Sequence, residues 1–253
     1  AQTVWQMQVA LVGRATAHQG SDRQWLVLVS CPISQRTTAR CYGNTGRGSH
    51  ERLRHGETRG EYTMPLEYPK IETLYDRDDK FRVMVGRWRL PEFAYLSNNP
   101  WLFTEKVDGT NIRVGWDGEK VTFGGRTDAA QMPTFLLLKL QELFSAEGFL
   151  SASLPPLCLY GEGFGARIQK GGGNYLATGV DFVLFDILVN GWWLERENVE
   201  DVASKLNIRT IPVIGVGTLG EATNLVSGGL QSTWGAFSAE GLVVRPQVSL
   251  CSR

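Results

Sequence analysis

The sequence predicts an α+β fold built on antiparallel sheet over residues 64–253, preceded by a disordered extension over residues 1–63. Three observations carry this. Asp117-Gly118 and Asn190-Gly191 are two-residue hairpin signals set between apolar runs. Helical periodicity is confined to 134–147, 198–206 and 219–226. Hairpins mixed with a few helices argue against a doubly wound parallel sheet.

A chain of 253 residues is long enough to bury a proper core. The formal charge is +0, but it is unevenly spread. Residues 1–63 hold eight Arg, no Lys and four acids, a net +4; the other 18 basic and 22 acidic residues give −4. Cys31, Cys41, Cys158 and Cys251 lack paired spacing, which points to a reducing compartment rather than a disulfide framework. No apolar run approaches the roughly 18–20 residues that span a bilayer. The start, Ala1-Gln2-Thr3-Val4-Trp5, lacks the basic region of a signal peptide. A soluble, cytoplasmic protein is expected, with no membrane or protein partner.

In chain order, Trp25–Val29 reads as a strand, whereas 31–61 is polar, rich in Gly, Arg and Thr, and aperiodic. Cys31, Cys41, His50 and His55 are zinc-ligand types, but their spacing fits no common finger. Met64 precedes the first coherent segment and reads as the natural start, so 1–63 is expected to be a dispensable, non-native tail. Tyr68–Tyr75 reads as a capped, extended run and 81–90 as a strand or loop pair. Phe103–Val107 and Ile112–Trp116 read as strands, the second turning at Asp117-Gly118 into Lys120–Phe123. Gly124-Gly125-Arg126 closes that hairpin. One helix is expected over 134–147, between Pro133 and Gly148. Leu157–Tyr160 is a short buried strand running into the glycine-rich stretch from Gly161 to Tyr175. Val180–Val189 is the most apolar strand, and Asn190-Gly191 turns it into Trp192–Leu194. Helices at Asn198–Leu206 and Leu219–Val226 flank a strand at Val213–Val216, and Glu240–Arg245 is the last strand.

The chemistry centres on Lys106, placed where a strand gives way to the tight turn Asp108-Gly109. Taken alone, Lys-x-Asp-Gly is more simply a hairpin turn with a solvated lysine. Four further features sit at strand ends or turns: Arg126, Glu162, Phe185-Asp186 and Glu240. Each has a plain alternative: a surface arginine, a solvated acid, a core phenylalanine, the start of a strand. Their order on successive strands is what makes them specific together.

With these residues the chain resembles the covalent nucleotidyltransferase superfamily of polynucleotide ligases and capping enzymes. Lys106-Val107-Asp108-Gly109 fits its first motif, and Glu105 through Val114 is similar to ATP-dependent RNA ligases of the RNA-ligase-2-like group. Tyr160-Gly161-Glu162-Gly163 looks like motif III, Phe182 through Asp186 like motif IIIa, and Glu240 through Arg245 like motif IV. The Ile168-Gln169-Lys170-Gly171-Gly172 loop also recurs in that group. The resemblance spans about residues 65–253.

It implies the adenylation-domain fold of DNA and RNA ligases, ATP-grasp-like, and a reaction with ATP and Mg2+ or Mn2+. Lys106 would be the nucleophile, forming lysyl–AMP. A lysine titrates near 10.4, so its surroundings must favour the neutral amine. The resemblance further implies that Arg126 and Glu162 hold the ribose, Phe185 stacks on adenine and Glu105 meets the adenine edge. Asn111 would contact phosphate, Glu240 would bind metal or orient the nucleotide, and Asp108 would mainly shape the turn. The partner would be RNA, with RNA–DNA or nicked duplexes included. Arg113, Arg167 and Lys170, together with Arg126, are candidates for contacting it, against the alternative of a solvated face. The group's motif V, Lys-x-Lys, has no counterpart after Arg245. A C-terminally truncated adenylation domain over 64–253, with weak or absent self-adenylation, is therefore expected. Two other readings stay open: a capping-type enzyme using GTP, and a non-catalytic ligase remnant that binds nucleotide or nucleic acid.

Overall fold

The computed structural model describes residues 67–248 and, at the level of backbone pairing, the strands Thr3–Trp5, Gln8–Gly13, Trp25–Ser30 and Leu250–Ser252. These N-terminal strands are β1, β2 and β3. Strand β4 (Ile71–Glu72) precedes a hairpin of β5 (Tyr75–Arg77) and β6 (Val83–Trp88), which leads into helix α1 (Pro91–Tyr95). Strands β7 (Trp101–Glu105), β8 (Thr110–Trp116) and β9 (Val121–Gly124) come before α2 (Thr134–Leu143) and α3 (Ala146–Ser151). Next are β10 (Leu157–Gly165), the single-turn α4 (Gly172–Tyr175), β11 (Val180–Val189) and β12 (Trp192–Trp193). Helix α5 (Arg196–Lys205), β13 (Arg209–Thr210), β14 (Val213–Gly217), α6 (Leu219–Ser227), β15 (Gly241–Pro246) and β16 (Leu250–Ser252) follow.

Two main sheets result. One runs β12-β11-β10-β8-β9, with β13 added in parallel to β11; the other runs β14-β7-β15-β2-β3-β4. Every other pairing in these sheets is antiparallel, so the fold is α+β.

Strand alternation explains why each sheet has a helix side and a cleft side. Along β8, Ile112, Val114 and Trp116 are buried in a core with Leu136 and Leu140 of α2, Phe149 of α3, and Val199 and Val202 of α5. Asn111 falls on the other face and reaches the cleft. In the second sheet Trp101, Phe103, Leu242 and Val244 pack with Leu219, Ala222 and Val226 of α6. Thr104, Val243 and Arg245 alternate with them and line the cleft.

Two expected elements differ. The helix expected over 134–147 breaks at Phe144, which adopts extended backbone, and Ser145 starts a new helix by accepting a hydrogen bond from the Gly148 N–H. The strand expected to stop at Tyr160 continues through Gly165. Its glycines are there for close approach: a Cβ on Gly161 would lie 2.1 Å from the Phe182 ring. Among the described residues no helix is long and apolar enough to cross a membrane.

The strand expected at Trp25–Val29 is β3, and it pairs with β2, which in turn pairs along β15 from Gly241 to Val244. The metal-ligand types at Cys31, Cys41, His50 and His55 lie outside the described residues. Because β2 covers the outer edge of β15, deleting residues 1–30 is expected to lower the melting temperature. An unchanged melt would mark this segment as dispensable.

Candidate active site

Lys106 follows directly on β7 and Thr110 opens β8, so the turn Lys106–Gly109 joins the two main sheets. The turn is fastened on several sides. The Lys106 N–H donates to the Gly241 carbonyl at 2.9 Å. The Gln169 amide donates to the Gly109 carbonyl, and the Gly171 N–H donates to Asp108 Oδ2, each at 3.2 Å. Asp108 thus shapes the turn by holding the glycine-rich loop against it. Gly109 has no room for a side chain: a Cβ would lie 2.5 Å from the Gly163 carbonyl oxygen and 2.6 Å from Glu162 Cγ.

The cleft beside this turn opens to solvent, and its empty space together with the mouth is about 510 Å3. Glu105, Lys106, Asn111, Glu162 and Phe185 line it, as do Tyr68, Ile211 and Arg245. Lys106 Nζ donates to Glu240 Oε1 at 2.6 Å, with both side chains about one-fifth exposed (23% and 20%). Five of the ten predicted site residues therefore line one cavity, and a sixth, Glu240, is in contact with Lys106.

Burial pushes the Glu162 carboxyl up to about 8; Lys106 and Arg126 pull it down, while Glu240 and Asp108 push it further up. Arg126, exposed on the loop after β9, is thus close enough for its charge to act on Glu162. Arg167 and Lys170 are exposed on the glycine-rich loop.

Glu105 is wholly buried. It accepts from the Ser232 hydroxyl at 2.5 Å, the Thr233 N–H at 2.8 Å and the Thr233 hydroxyl at 2.7 Å. That anchors the loop carrying Trp234, whose ring packs against Phe164 and Tyr175. The Tyr175 hydroxyl donates to the Lys106 carbonyl at 3.4 Å, and burial keeps this phenol protonated.

Arg113 requires a correction. Expected as a cation for nucleic acid, it is 1% exposed. Its Nε donates to the Gly125 carbonyl at 2.7 Å and its guanidinium pairs with Asp128 at 2.6 Å. It faces away from the helix-side core, as alternation requires, but the 125–128 loop covers it. Arg113 therefore fixes the loop that carries Arg126.

Sequence reasoning missed three contributors. Tyr68 donates to Asp186 Oδ2, and Arg245 donates to Asp186 Oδ1 at 2.7 Å, making a buried triad behind Phe185. Asp186 and Arg245 stood inside recognised motifs, but Tyr68 lies 118 residues from its partner. Ser232 and Thr233 carried no signal beyond a polar loop.

Among the described residues no three His, Cys, Asp or Glu side chains gather as a metal cage. Glu240 and the buried, unpartnered Oδ1 of Asn111 supply oxygen donors instead. Such a sparse set suits Mg2+ or Mn2+ shared with phosphate oxygens, because these ions keep much of their coordination for water and phosphate.

Two outcomes follow from this geometry. Replacing Arg113 with Met leaves the Gly125 carbonyl without its donor at a cost of about 2–3 kcal/mol. The melting temperature should fall by roughly 4–12 °C, whereas Arg167→Ala and Lys170→Ala should leave it in place. Glu162 has a folded-state value raised from 4.5 to about 8, so between these limits the folded chain holds a proton that the unfolded chain has lost. Stability is then complete at acid pH and declines as pH rises toward 8. Glu162→Gln should flatten that slope in pH-dependent melts.

The RNA ligase family model matches residues 99–253. No curated protein sequence matches. Among solved structures, a ligand-free variant of Naegleria gruberi RNA ligase aligns with a TM-score of 0.52 at 21% identity, covering 64% of this chain and 51% of its own. A variant of the same protein with ATP and Mn gives 0.52 and 21% over 64% and 52%. Another with ATP and Mn gives 0.53 at 14% identity over 99% of this chain and 96% of its own. At such identities the likeness is one of fold, and in the first two alignments the chain spans about half the length of the matched structure. With its family model covering well over half of the sequence, this chain belongs to the RNA ligase family.

Proposed function

We propose that the chain is an ATP-dependent RNA ligase adenylation domain, which joins 5′-phosphate and 3′-hydroxyl RNA ends through lysyl–AMP and RNA-adenylate intermediates. The observation that carries this reading is the 2.6 Å contact of Lys106 Nζ with Glu240, made in a cleft walled by Phe185. Phe185 stacks on the adenine, with Glu105 and its bonded Ser232-Thr233 loop at the base edge. Glu162, protonated near neutral pH, offers the ribose a donor as well as an acceptor, and Arg126 closes that side. Asn111 Oδ1 faces the phosphate region.

For the first step Lys106 gives up a proton, and Glu240 Oε1 is the acceptor within reach. The freed lone pair forms an N–P bond at the α-phosphorus as the bond to the bridging oxygen of the β-phosphate breaks. Pyrophosphate departs with that electron pair. Glu240 would hold Mg2+ or Mn2+ in this cleft, and the metal would supply charge neutralisation to the triphosphate. AMP then passes from Lys106 to an RNA 5′-phosphate, and a 3′-hydroxyl displaces it to seal the strand. The exposed cations Arg126, Arg167 and Lys170 face this RNA, and nicked or RNA–DNA duplexes belong to the same substrate class. The reaction takes place in the cytoplasm.

Incubation with α-labelled ATP and magnesium tests the reading. Label should enter the protein only weakly, since no Lys-x-Lys follows Arg245 within residues 246–253, and should vanish in Lys106→Ala. Preferential labelling by GTP would favour a capping-type enzyme, and no labelling by either nucleotide would leave a non-catalytic binding domain.

A further inference from the structure

The β5–β6 hairpin has one face in the core and one turned to solvent. On the inner face Tyr75 and Trp88 pack with Leu74 and Phe93, their two rings 5.0 Å apart. The outward side has two projections. The first is the tip, where Lys80, Phe81 and Arg82 turn the chain. Asp78 builds this tip: it accepts from the Lys80 N–H at 3.0 Å and the Arg82 N–H at 2.8 Å, and pairs with the Arg82 guanidinium at 2.7 Å. Phe81 is held at φ 61, in the left-handed region that L side chains avoid, and remains 74% exposed.

The second projection is a bulge in β6. Tyr75 pairs with Trp88 but Arg77 with Val83, so β6 carries three more residues than β5 between these pairs, and Gly86 at φ 88 accommodates the excess. Val85 and Arg87 on the bulge are 68% and 66% exposed. A strained aromatic with no packing in return, displayed by a preorganised turn between two cations, is a surface built for contact.

Its chemistry favours a nucleic acid strand. Residues 75–90 contain five cations (Arg77, Lys80, Arg82, Arg87, Arg89) and three acids, a net +2 within a 64–253 region of net −4. The hairpin is also rooted at the cleft. Arg89 pairs with Glu72 at 3.5 Å, and Ile71, next to Glu72, lines the cavity together with Tyr68.

We propose that the β5–β6 hairpin is an RNA-binding arm: Phe81 stacks on an unpaired base, and Lys80, Arg82 and Arg87 take the flanking phosphates. The proposal rests on the ligase reading and adds where that enzyme grips its single-stranded end. Aromatic stacking with adjacent cations is sequence-tolerant, as an end-joining enzyme requires.

The test uses the full chain and a 5′-phosphorylated single-stranded RNA of about 12 nucleotides, within the site sizes of single-strand binders. Binding is read by fluorescence anisotropy over a salt series, and ATP labelling of Lys106 is read separately. Phe81→Ala should weaken binding by about five-fold or more, and Phe81→Trp should restore it. The Lys80→Ala, Arg82→Ala double variant should reduce the slope of log affinity against log salt by about 1.4, two phosphate contacts at about 0.7 each. ATP labelling and melting temperature should not change in any of these variants. Unchanged RNA affinity and slope, with labelling intact, would overturn the arm and leave the ligase reading standing. Equal loss of binding to polyglutamate would also overturn it, in favour of a generic acidic partner. If the wild type binds RNA through the hairpin but takes no label, the arm stands and the ligase reading fails.

Discussion

The two main sheets of this protein are joined by the four-residue turn Lys106–Gly109, and its placement constrains everything around the cleft. A turn that belongs to two sheets cannot shift without disturbing β7 or β8. Its backbone is further fixed by Gly241 from one side and by the glycine-rich loop from the other. The long, flexible lysine side chain therefore starts from a rigid base, which reduces the ordering cost of aiming it. The glycines at 109 and 161 serve the same end by letting backbone and rings come close where a Cβ would collide.

Two buried charged groups near that turn are each held by several partners. Glu105 has no exposure, yet three donors from a single loop satisfy it. Arg113, almost as deeply buried, is matched by a carbonyl and a carboxylate. Such groups would be costly if left unpaired, so each fixes the segment that partners it. The loops that edge the cleft are held by side chains lying beneath them, while the apolar cores sit on the far faces of both sheets.

Much of this was legible in the sequence, for identifiable reasons. Asp117-Gly118 and Asn190-Gly191 marked real turns because type I′-compatible residues leave few alternatives. Lys106 and Glu162 could be singled out because glycines flank or follow them. Glu240, 134 residues from Lys106, needed the order of motifs rather than any local pattern. Arg113 misled because alternation gives a side chain's face but not what covers it, and here a loop 12 residues on folds over it. The split between α2 and α3 turned on Ser145, a capping residue inside an otherwise continuous apolar pattern. Tyr68 had no local signature at all: its role appears only when β11 brings Asp186 alongside it.

That meeting point limits how the cleft can move. Asp186 on β11 is wholly buried, and its two oxygens engage Arg245 from the opposing sheet and Tyr68 from the segment leading into the hairpin. Pulling the sheets apart here would strand a buried carboxylate, which costs several kcal/mol. The two sheets are therefore clamped at the Asp186 end of the cleft, and any widening of the cleft must occur away from it.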